Sequence, residues 1–466
     1  MRIRLFGQYL PVSMVVLAAF EMILFYGLLI GAGLVRLGTD LDEIQRLNGP
    51  LWPRAVLFSG SMFGSLLAFG LYSARQRARR AGILVRVVVA VSAGIVISTV
   101  CFYVIPALSI GRGVLSLAAL SAAAAVIVVR LGFGHFVDDT PLKRRILVYG
   151  AGRSAASIAA LRRRADRRGF VLTGFVRADG EGLEIPEERV LKPDGELLEL
   201  CDSLDVDEVV VAMDDRRRAF PIRELLECRL AGIDVTELLT FLERETGRVR
   251  VDVLNPSWLI FGEGFRRGSL RRITSGVIDV GASLVILTIS LPVMLATALA
   301  IKLEEGWRAR VFYAQERVGL GGRVFRLLKF RSMRVNAEPH GQAQWAQKND
   351  PRVTRVGAVI RKLRIDELPQ IINVLRGDMC FVGPRPERPQ FVAELVETVP
   401  YYRQRHCVKP GITGWAQLCY QYGSSEQDAL EKLQYDLYYI KNNNLLFDLL
   451  ILAQTAEVVF MGKGAR

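Results

Sequence analysis

The chain has 466 residues, of which 51% are hydrophobic, and carries 61 Lys+Arg against 47 Asp+Glu for a formal charge of +14. Mean hydropathy is +0.26, too high for an ordinary soluble protein, and at roughly 100–200 residues per domain the length suggests about three domains. The basic excess favours anionic partners; because basic residues flank apolar spans and do not interleave with aromatics, lipid and phosphate are expected and nucleic acid is not.

Four apolar stretches are each long enough to span a bilayer, which needs about 20 helical residues: Leu10 to Val35, Ala55 to Tyr72, Ile83 to Leu108 and Val114 to Leu131. Arg2 and Arg4 precede the first, and no small-residue cleavage site follows a short apolar core, so it reads as an uncleaved anchor. Arg75, Arg77, Arg79 and Arg80 lie between the second and third spans, and Lys143, Arg144 and Arg145 follow the fourth. The positive-inside rule places both ends of this bundle in the cytoplasm. Glu21 lies inside the first span, where an acid marks a functional site, a structural partner in the bundle or a position near a water-filled cavity.

Lys143 to about Gly262 reads as a Rossmann-like α/β domain. Predicted strands are Arg145 to Tyr149, Val171 to Val176, Asp207 to Ala212 and Ile233 to Val235, with a helical run from Ala156 to Arg168. Gly150-Ala-Gly-Arg-Ser-Ala follows the first strand and Asp179 the second, a GxGxxA pattern that would suit a dinucleotide. A tight strand-to-helix turn that binds nothing, or only a regulator, accounts for the same residues. The six cysteines lack metal or redox spacing and read as buried thiols, and the three histidines are scattered.

Arg271 to Lys302 is apolar and long enough to span, yet Pro292 sits near its middle, two residues after Ser290. Proline removes a backbone donor and kinks a helix. Arg266, Arg267, Arg271 and Arg272 lie before it and Lys302, Arg308 and Arg310 after it. Two basic ends predict a helix that enters the inner leaflet, bends at Ser290 and Pro292, and returns. An ordinary fifth span is the competing arrangement. Asp279 is expected to pair with a nearby arginine. Ala358 to Arg364 and Leu445 to Met461 are amphipathic segments suited to the membrane face.

Four polar patches follow. Lys329 and Arg331, two apart on a predicted strand from Phe325 to Met333, share a face and suit a phosphate clamp, though a solvated face accounts for the same two residues. Asp366-Glu367 follow the basic stretch Arg361 to Arg364 and precede Pro369, which places the pair at a helix end or turn. Adjacent acids can divide nucleophilic and proton-handling work. A single acid would suffice to hold Mg2+ beside substrate phosphates. Gly383-Pro-Arg385-Pro-Glu-Arg388 is a rigid loop presenting Arg385, and Lys409-Pro-Gly-Ile-Thr413-Gly414 is a second turn with backbone donors for a phosphate or nucleoside.

As a set, Leu-Lys329-Phe-Arg-Ser-Met, Arg361 five before Asp366, Asp366-Glu-Leu-Pro-Gln, Val-Gly-Pro-Arg385-Pro, Pro-Gly-Ile-Thr-Gly-Trp-Ala-Gln417 and Asp436-Leu-Tyr-Tyr-Ile-Lys-Asn resemble the bacterial sugar transferase family. These are the polyprenyl-phosphate hexose-1-phosphate transferases with a re-entrant membrane helix. Ser332 and Cys380 depart from the family's usual threonine and serine. The resemblance covers Arg271 to the end, and the upstream parts look like the family's long form. It implies a four-helix transmembrane domain over 1–140, a Rossmann-like domain over 141–262, and an α+β monotopic catalytic domain over 263–466 with its re-entrant helix at about 271–303. It also implies transfer of hexose-1-phosphate from a UDP-sugar to undecaprenyl phosphate with release of UMP, the initiating step of exopolysaccharide or other surface glycan synthesis. Asp366 would carry the intermediate and Glu367 would orient the site. Lys329, Arg331, Arg361 and Arg385 would neutralise phosphate charge, with Mg2+ on Asp366, and Thr413, Gly414 and Asp436 would complete the site. A homodimer in the bacterial inner (cytoplasmic) membrane, catalytic domain towards the cytoplasm, is the family expectation. The competing functions are a tethered NAD(P)-dependent sugar-modifying enzyme, disfavoured by the lack of Tyr-x-x-x-Lys between 143 and 262, and a non-enzymatic assembly scaffold, disfavoured by the intact acid pair.

Overall fold

The computed structural model describes residues 2–5, 8–38, 49–72, 80–137, 143–161, 166, 169–191, 196–215, 220–254, 264, 269–334, 352–420, 423 and 425–460. Arg75, Arg77, Arg79, Arg266 and Arg267, His340, Met461 and most of the run from 162 to 168 lie outside the described residues. A hairpin of β1 (Arg2–Leu5) and β2 (Gln8–Pro11) leads into α1 (Val12–Leu37). Helices α2 (Leu51–Ala68), α3 (Arg80–Val104) and α4 (Arg112–Val137) follow. They bury a shared core of Phe25, Leu29, Phe58, Met62, Leu66, Ala90, Ala118 and Ala122. Their outer faces expose Phe20, Ile23, Val96, Val100, Leu120 and Val128, as lipid-facing helices do. Three of these helices are long and apolar enough to cross a membrane, within Met14–Leu37, Arg86–Val104 and Arg112–Gly132. The second predicted span, α2, is not among them: it is 18 residues long and carries Arg54, Ser59, Ser61 and Ser65. Its polar groups turn inward, with Ser59 Oγ donating to the Met22 carbonyl at 2.6 Å.

Glu21 has its partners inside the bundle. The carboxylate accepts from Tyr72 Oη at 2.5 Å and from Arg130 Nε and Nη2 at 3.0 and 2.9 Å. Arg130 also donates to the Leu71 carbonyl. Burying an unpaired charge is costly, so this arrangement ties α1, the turn after α2 and α4 together.

The α/β region runs β3 (Arg144–Tyr149), α5 (Arg153–Ala159), β4 (Phe170–Val176), β5 (Val190–Leu191), α6 (Leu197–Ser203), β6 (Glu208–Val211), α7 (Ile222–Leu230), β7 (Asp234–Glu237) and α8 (Leu238–Thr246). All five strands are parallel, in the order β5-β4-β3-β6-β7. Ile146 and Val148 pack on one face with Phe175, Val210 and Phe241; Leu147 and Tyr149 pack on the other with Val209, Cys201 and Cys228. A strand buried on both faces reads as a continuous apolar run, which is why Ile-Leu-Val-Tyr was legible without alternation. At the lower end of the sheet a buried cluster pairs Arg144 with Glu208 and Glu245, and Arg244 with the same two acids.

The chain divides into two compact units, Met1–Asn255 and Pro256–Arg466. The second begins with α9 (Ser269–Glu305), a 37-residue helix containing Pro292. The fourth apolar membrane-length segment, Ile273–Glu305, lies within it. Helical structure continues through Pro292, the position of the expected bend; Ser290 Oγ donates to the Leu287 carbonyl at 3.4 Å, beside the turn that loses a donor. After α9 come β8 (Phe312–Val318), β9 (Val324–Phe330), α10 (Arg355–Lys362), α11 (Gln370–Arg376), β10 (Cys380–Val382), α12 (Pro389–Thr398), β11 (Gly411–Thr413), α13 (Trp415–Cys419), α14 (Glu426–Asn442) and α15 (Leu445–Phe460). β8 and β9 form an antiparallel ribbon, and β10 and β11 a short parallel pair.

One stripe of α9 packs inward through Asp279, Ser283, Leu287, Met294, Ala298, Ile301 and Glu305, spaced three, four or seven residues apart. The other face exposes Val277, Leu284, Ile289, Leu291, Leu295 and Leu299. Asp279 accepts from the Phe381 backbone N–H at 3.3 Å, where an arginine partner was expected; Arg271 pairs with Asp448 instead, at 3.1 Å. At the far end the Glu304 carboxylate accepts from the Arg355 and Val356 N–H groups at 2.8 and 2.9 Å.

Candidate active site

The acid pair is built by α10 and the turn after it. Thr354 Oγ1 accepts from the Gly357 N–H at 2.9 Å, so with Glu304 three first-turn donors of α10 are satisfied and the helix is fixed against the end of α9. Arg364 then adopts φ +57°, a left-handed conformation costing about 1 kcal/mol in a non-glycine residue. It reverses the chain into a 3-10 turn, Ile365–Glu367. Leu368 keeps helical angles despite the following proline, so the turn runs directly into α11.

Three cations converge on Glu367. Lys329 Nζ from β9 lies 3.2 Å from Oε1, Arg385 Nη2 lies 3.1 Å from the same oxygen, and Arg364 Nη1 lies 3.8 Å from Oε2. Burial pushes the Glu367 carboxyl up, but Arg385, Lys329 and Arg364 overcome it and hold the group well below the ordinary carboxylate range. Asp366 behaves oppositely. Burial, joined by the neighbouring charge of Glu367, lifts its pKa above the ordinary aspartate value against Lys329, Arg361 and Arg364. Among the described residues none donates a hydrogen bond to the Asp366 carboxylate. One acid is therefore locked in place as an anion, and the other is half-buried with its oxygens uncommitted.

Lys329 is placed by a residue that sequence reasoning missed. Asn373, fully buried on α11, accepts from the Leu328 N–H at 3.0 Å and donates to the Arg326 carbonyl at 2.8 Å. Its amide stands in for a third strand along the edge of the ribbon. An amide inside the apolar run Ile-Ile-Asn-Val-Leu was the available signal. Arg331 lies beyond the end of β9, at Phe330, and its ion-pair partner is Glu305 at 3.9 Å, not the acid pair.

The loop carrying Arg385 contains Pro384 and Pro386, which have no N–H to donate. It is held instead by its carbonyls. Pro384 O accepts from Gly411 N at 3.0 Å, Arg385 O from Arg405 Nη2 at 3.0 Å, Pro386 O from Arg317 Nη1 at 3.1 Å and Glu387 O from Val318 N at 2.9 Å. In the second turn the Gly411 N–H is already engaged, by the Pro384 carbonyl. A Cβ on Gly414 would lie 2.2 Å from the Gly383 carbonyl oxygen, and one on Gly411 2.1 Å from Gly383 N, so these glycines let two loops touch backbone to backbone. The Gly383 N–H donates to Thr413 O at 2.8 Å, and the Thr413 hydroxyl pairs with Thr455. Thr413 and Gly414 thus support the Arg385 loop. Asp436, buried on α14, likewise stands behind it: its carboxylate lies 2.9 Å from Arg405 Nη2, the group that holds the Arg385 carbonyl. Arg405 and Arg317 were not singled out from the sequence, because their role appears only once distant segments meet.

No group of three or more His, Cys, Asp or Glu side chains that could cage a metal occurs among the described residues. Asp366 fits the other mode of Mg2+ binding, in which one carboxylate is joined by water and substrate phosphates.

Apolar helices of membrane length and an acid pair among fixed cations define a membrane protein with a site suited to phosphate-bearing ligands. Residues 270–462 match the bacterial sugar transferase family, and the chain belongs to that family. It is 47% identical over 244 residues to the UDP-N-acetylgalactosamine-undecaprenyl-phosphate N-acetylgalactosaminephosphotransferase of Aeromonas hydrophila, covering 52% of this chain and 56% of that one. Identity to the UDP-glucose:undecaprenyl-phosphate glucose-1-phosphate transferase of Xanthomonas campestris pv. campestris is 45% over 176 residues, covering 37% of this chain and 36% of that one. The UDP-galactose-lipid carrier transferase of Erwinia amylovora is 30% identical over 353 residues, 69% of each chain. The matched stretch thus spans about half or less of the first two relatives.

Proposed function

We propose that the protein transfers hexose-1-phosphate from a UDP-sugar to undecaprenyl phosphate, releasing UMP, to initiate a surface glycan. The observation that carries this reading is the division of labour between Glu367, fixed by Lys329, Arg385 and Arg364, and Asp366, to whose carboxylate no described residue donates a hydrogen bond. In the first step an Asp366 oxygen attacks the β-phosphorus of the UDP-sugar. The bond from that phosphorus to the bridging oxygen breaks, and UMP leaves with the electron pair. In the second an oxygen of undecaprenyl phosphate attacks the same phosphorus and frees the carboxylate. Phosphoryl transfer depends mainly on alignment and charge neutralisation. Lys329 and Arg385 are held at fixed positions beside the acid pair, and Arg361 contributes positive charge at Asp366. Mg2+ bound through Asp366 and the phosphates would neutralise further charge. The names of the three relatives carry three different sugars, in keeping with a shared phosphate chemistry and a sugar chosen elsewhere.

A re-entrant α9 accounts for a further feature. The helix is about 55 Å long at 1.5 Å per residue, well beyond the roughly 30 Å of bilayer hydrocarbon. Both its ends are held by the same unit, through Arg271 and Asp279 at one end and Glu304 at the other. Ends held by one catalytic unit favour entry and return on one face, with the basic flanks cytoplasmic. This puts Asp366 where a lipid phosphate and a cytosolic UDP-sugar meet, in a homodimer of the bacterial inner membrane.

The test is UMP release by membrane fractions given UDP-glucose, UDP-galactose or UDP-N-acetylgalactosamine with undecaprenyl phosphate, together with exchange of labelled UMP into the UDP-sugar without acceptor. One donor is expected to support both reactions, and Asp366→Asn to abolish both. Exchange that survives Asp366→Asn rules out the covalent role.

A further inference from the structure

The Gly150-Ala-Gly-Arg-Ser-Ala loop plays no part in the proposed transfer. It sits where a parallel sheet of this topology binds ligands. The strand order reverses between β3 and β6, and the crevice outside their carboxyl ends is the expected position of a dinucleotide. In this chain two acidic side chains occupy that crevice. The Asp214 carboxylate, from the loop after β6, accepts from the Arg153 N–H at 2.9 Å and the Ser154 N–H at 2.8 Å. The Glu181 carboxylate, from the loop after β4, bridges the Ala151 N–H at 2.9 Å and the Asp214 N–H at 2.9 Å. The segment after β4 is also laid over the glycine loop, with the Glu184 N–H donating to the Ala151 carbonyl at 2.9 Å.

The glycines are explained by the same contacts. A Cβ on Gly152 would lie 2.1 Å from Asp214 Oδ2 and 2.9 Å from Glu181 Oε1, so Gly152 makes room for the chain's own carboxylates. Gly150 has φ +132°, and a Cβ there would lie 2.4 Å from the Ala212 carbonyl oxygen. Its absence permits close packing of the β3 and β6 ends. Both glycines of the motif are thus required with no nucleotide present. Phosphates entering here would displace two carboxylates and meet their charge, while the cation of the loop, Arg153, is paired with Glu184 at 3.6 Å.

We infer that the crevice of the α/β domain is closed from within by Asp214 and Glu181 and takes no dinucleotide, the two carboxylates satisfying the loop donors that a ligand's phosphates would otherwise engage. The domain keeps the outline of a nucleotide-binding sheet while spending its loop donors on its own carboxylates. Burial pushes the Asp214 carboxyl up, but bonds from Ser154 and Arg153 bring it below the ordinary value, in keeping with an anion held in that position.

The test is hydrogen–deuterium exchange of the full-length protein in detergent, followed by mass spectrometry, alone and with millimolar NADH or NADPH. In the wild type, uptake over residues 149–160 is expected to be unchanged by either dinucleotide. Asp214→Ala is expected to raise exchange in those peptides about tenfold, the effect of losing a charge-assisted hydrogen bond. Asp214→Asn, which keeps the shape and one acceptor, is expected to raise it about threefold and serves should the alanine variant fail to fold. Protection of the wild-type loop by either dinucleotide overturns the inference. So does wild-type exchange in the Asn variant.

Discussion

Glu367→Gln removes one negative charge and little else, so it measures what the convergence of cations contributes. The carboxylate is 15% exposed, and its partners Lys329, Arg385 and Arg364 are 19%, 29% and 31% exposed at 3.2, 3.1 and 3.8 Å. Exposed pairs are worth about 0–1 kcal/mol, and removing one member of a buried pair costs about 3–5 kcal/mol. These pairs lie between the two limits, which sets the expected loss of stability near about 2 kcal/mol. Because the folded-state pKa of Glu367 is depressed, its stabilisation is full above the unfolded value of about 4.3 and fades as pH falls towards the folded one. The difference between variant and wild type in denaturant titrations should therefore shrink in acid. Catalysis should suffer more than binding: with Lys329 and Arg385 no longer fixed, kcat for UMP release is expected to fall about a hundredfold, the scale of losing one preorganised charge-stabilising group. A double-mutant cycle with Lys329→Gln should give a coupling energy of about 1 kcal/mol or more. Additive effects in that cycle, or a variant kcat within about twofold of wild type, would refute the reasoning.

In the proposed mechanism Asp366 attacks as the anion, and burial raises its pKa, so the rate of UMP exchange should climb with pH through an apparent pKa above the ordinary aspartate value of about 3.9. A rate that stays flat down to about pH 4 contradicts the assignment. Asn373→Ala strips partners from the Leu328 N–H and the Arg326 carbonyl, and at about 1–3 kcal/mol for a buried group left unsatisfied should destabilise the catalytic unit by about 2 kcal/mol in chemical denaturation. Asn373→Asp, which can still accept from Leu328 but cannot donate to Arg326, should fall between; equal stability of all three proteins would remove Asn373 from the account of how Lys329 is held.

Much of this protein is written locally. Apolar length marks the membrane helices, the two-sided strand Ile-Leu-Val-Tyr marks a covered parallel sheet, and motif order from Lys329 to Asp436 identifies the family. These signals survive because helix and strand periodicity, proline geometry and glycine turns act over a few residues. Tertiary structure alone decided which charges meet. Lys329 and Arg331 are two residues apart, yet one faces Glu367 and the other Glu305. Arg385 and Arg405, 20 residues apart, become one device through a single carbonyl, with Asp436 behind them. The glycine loop after β3 reads as a phosphate cradle until Asp214, 60 residues further along, is found in it. Ion pairs and hydrogen bonds form between whatever groups the fold brings within about 3 Å, and sequence separation carries no information about that distance.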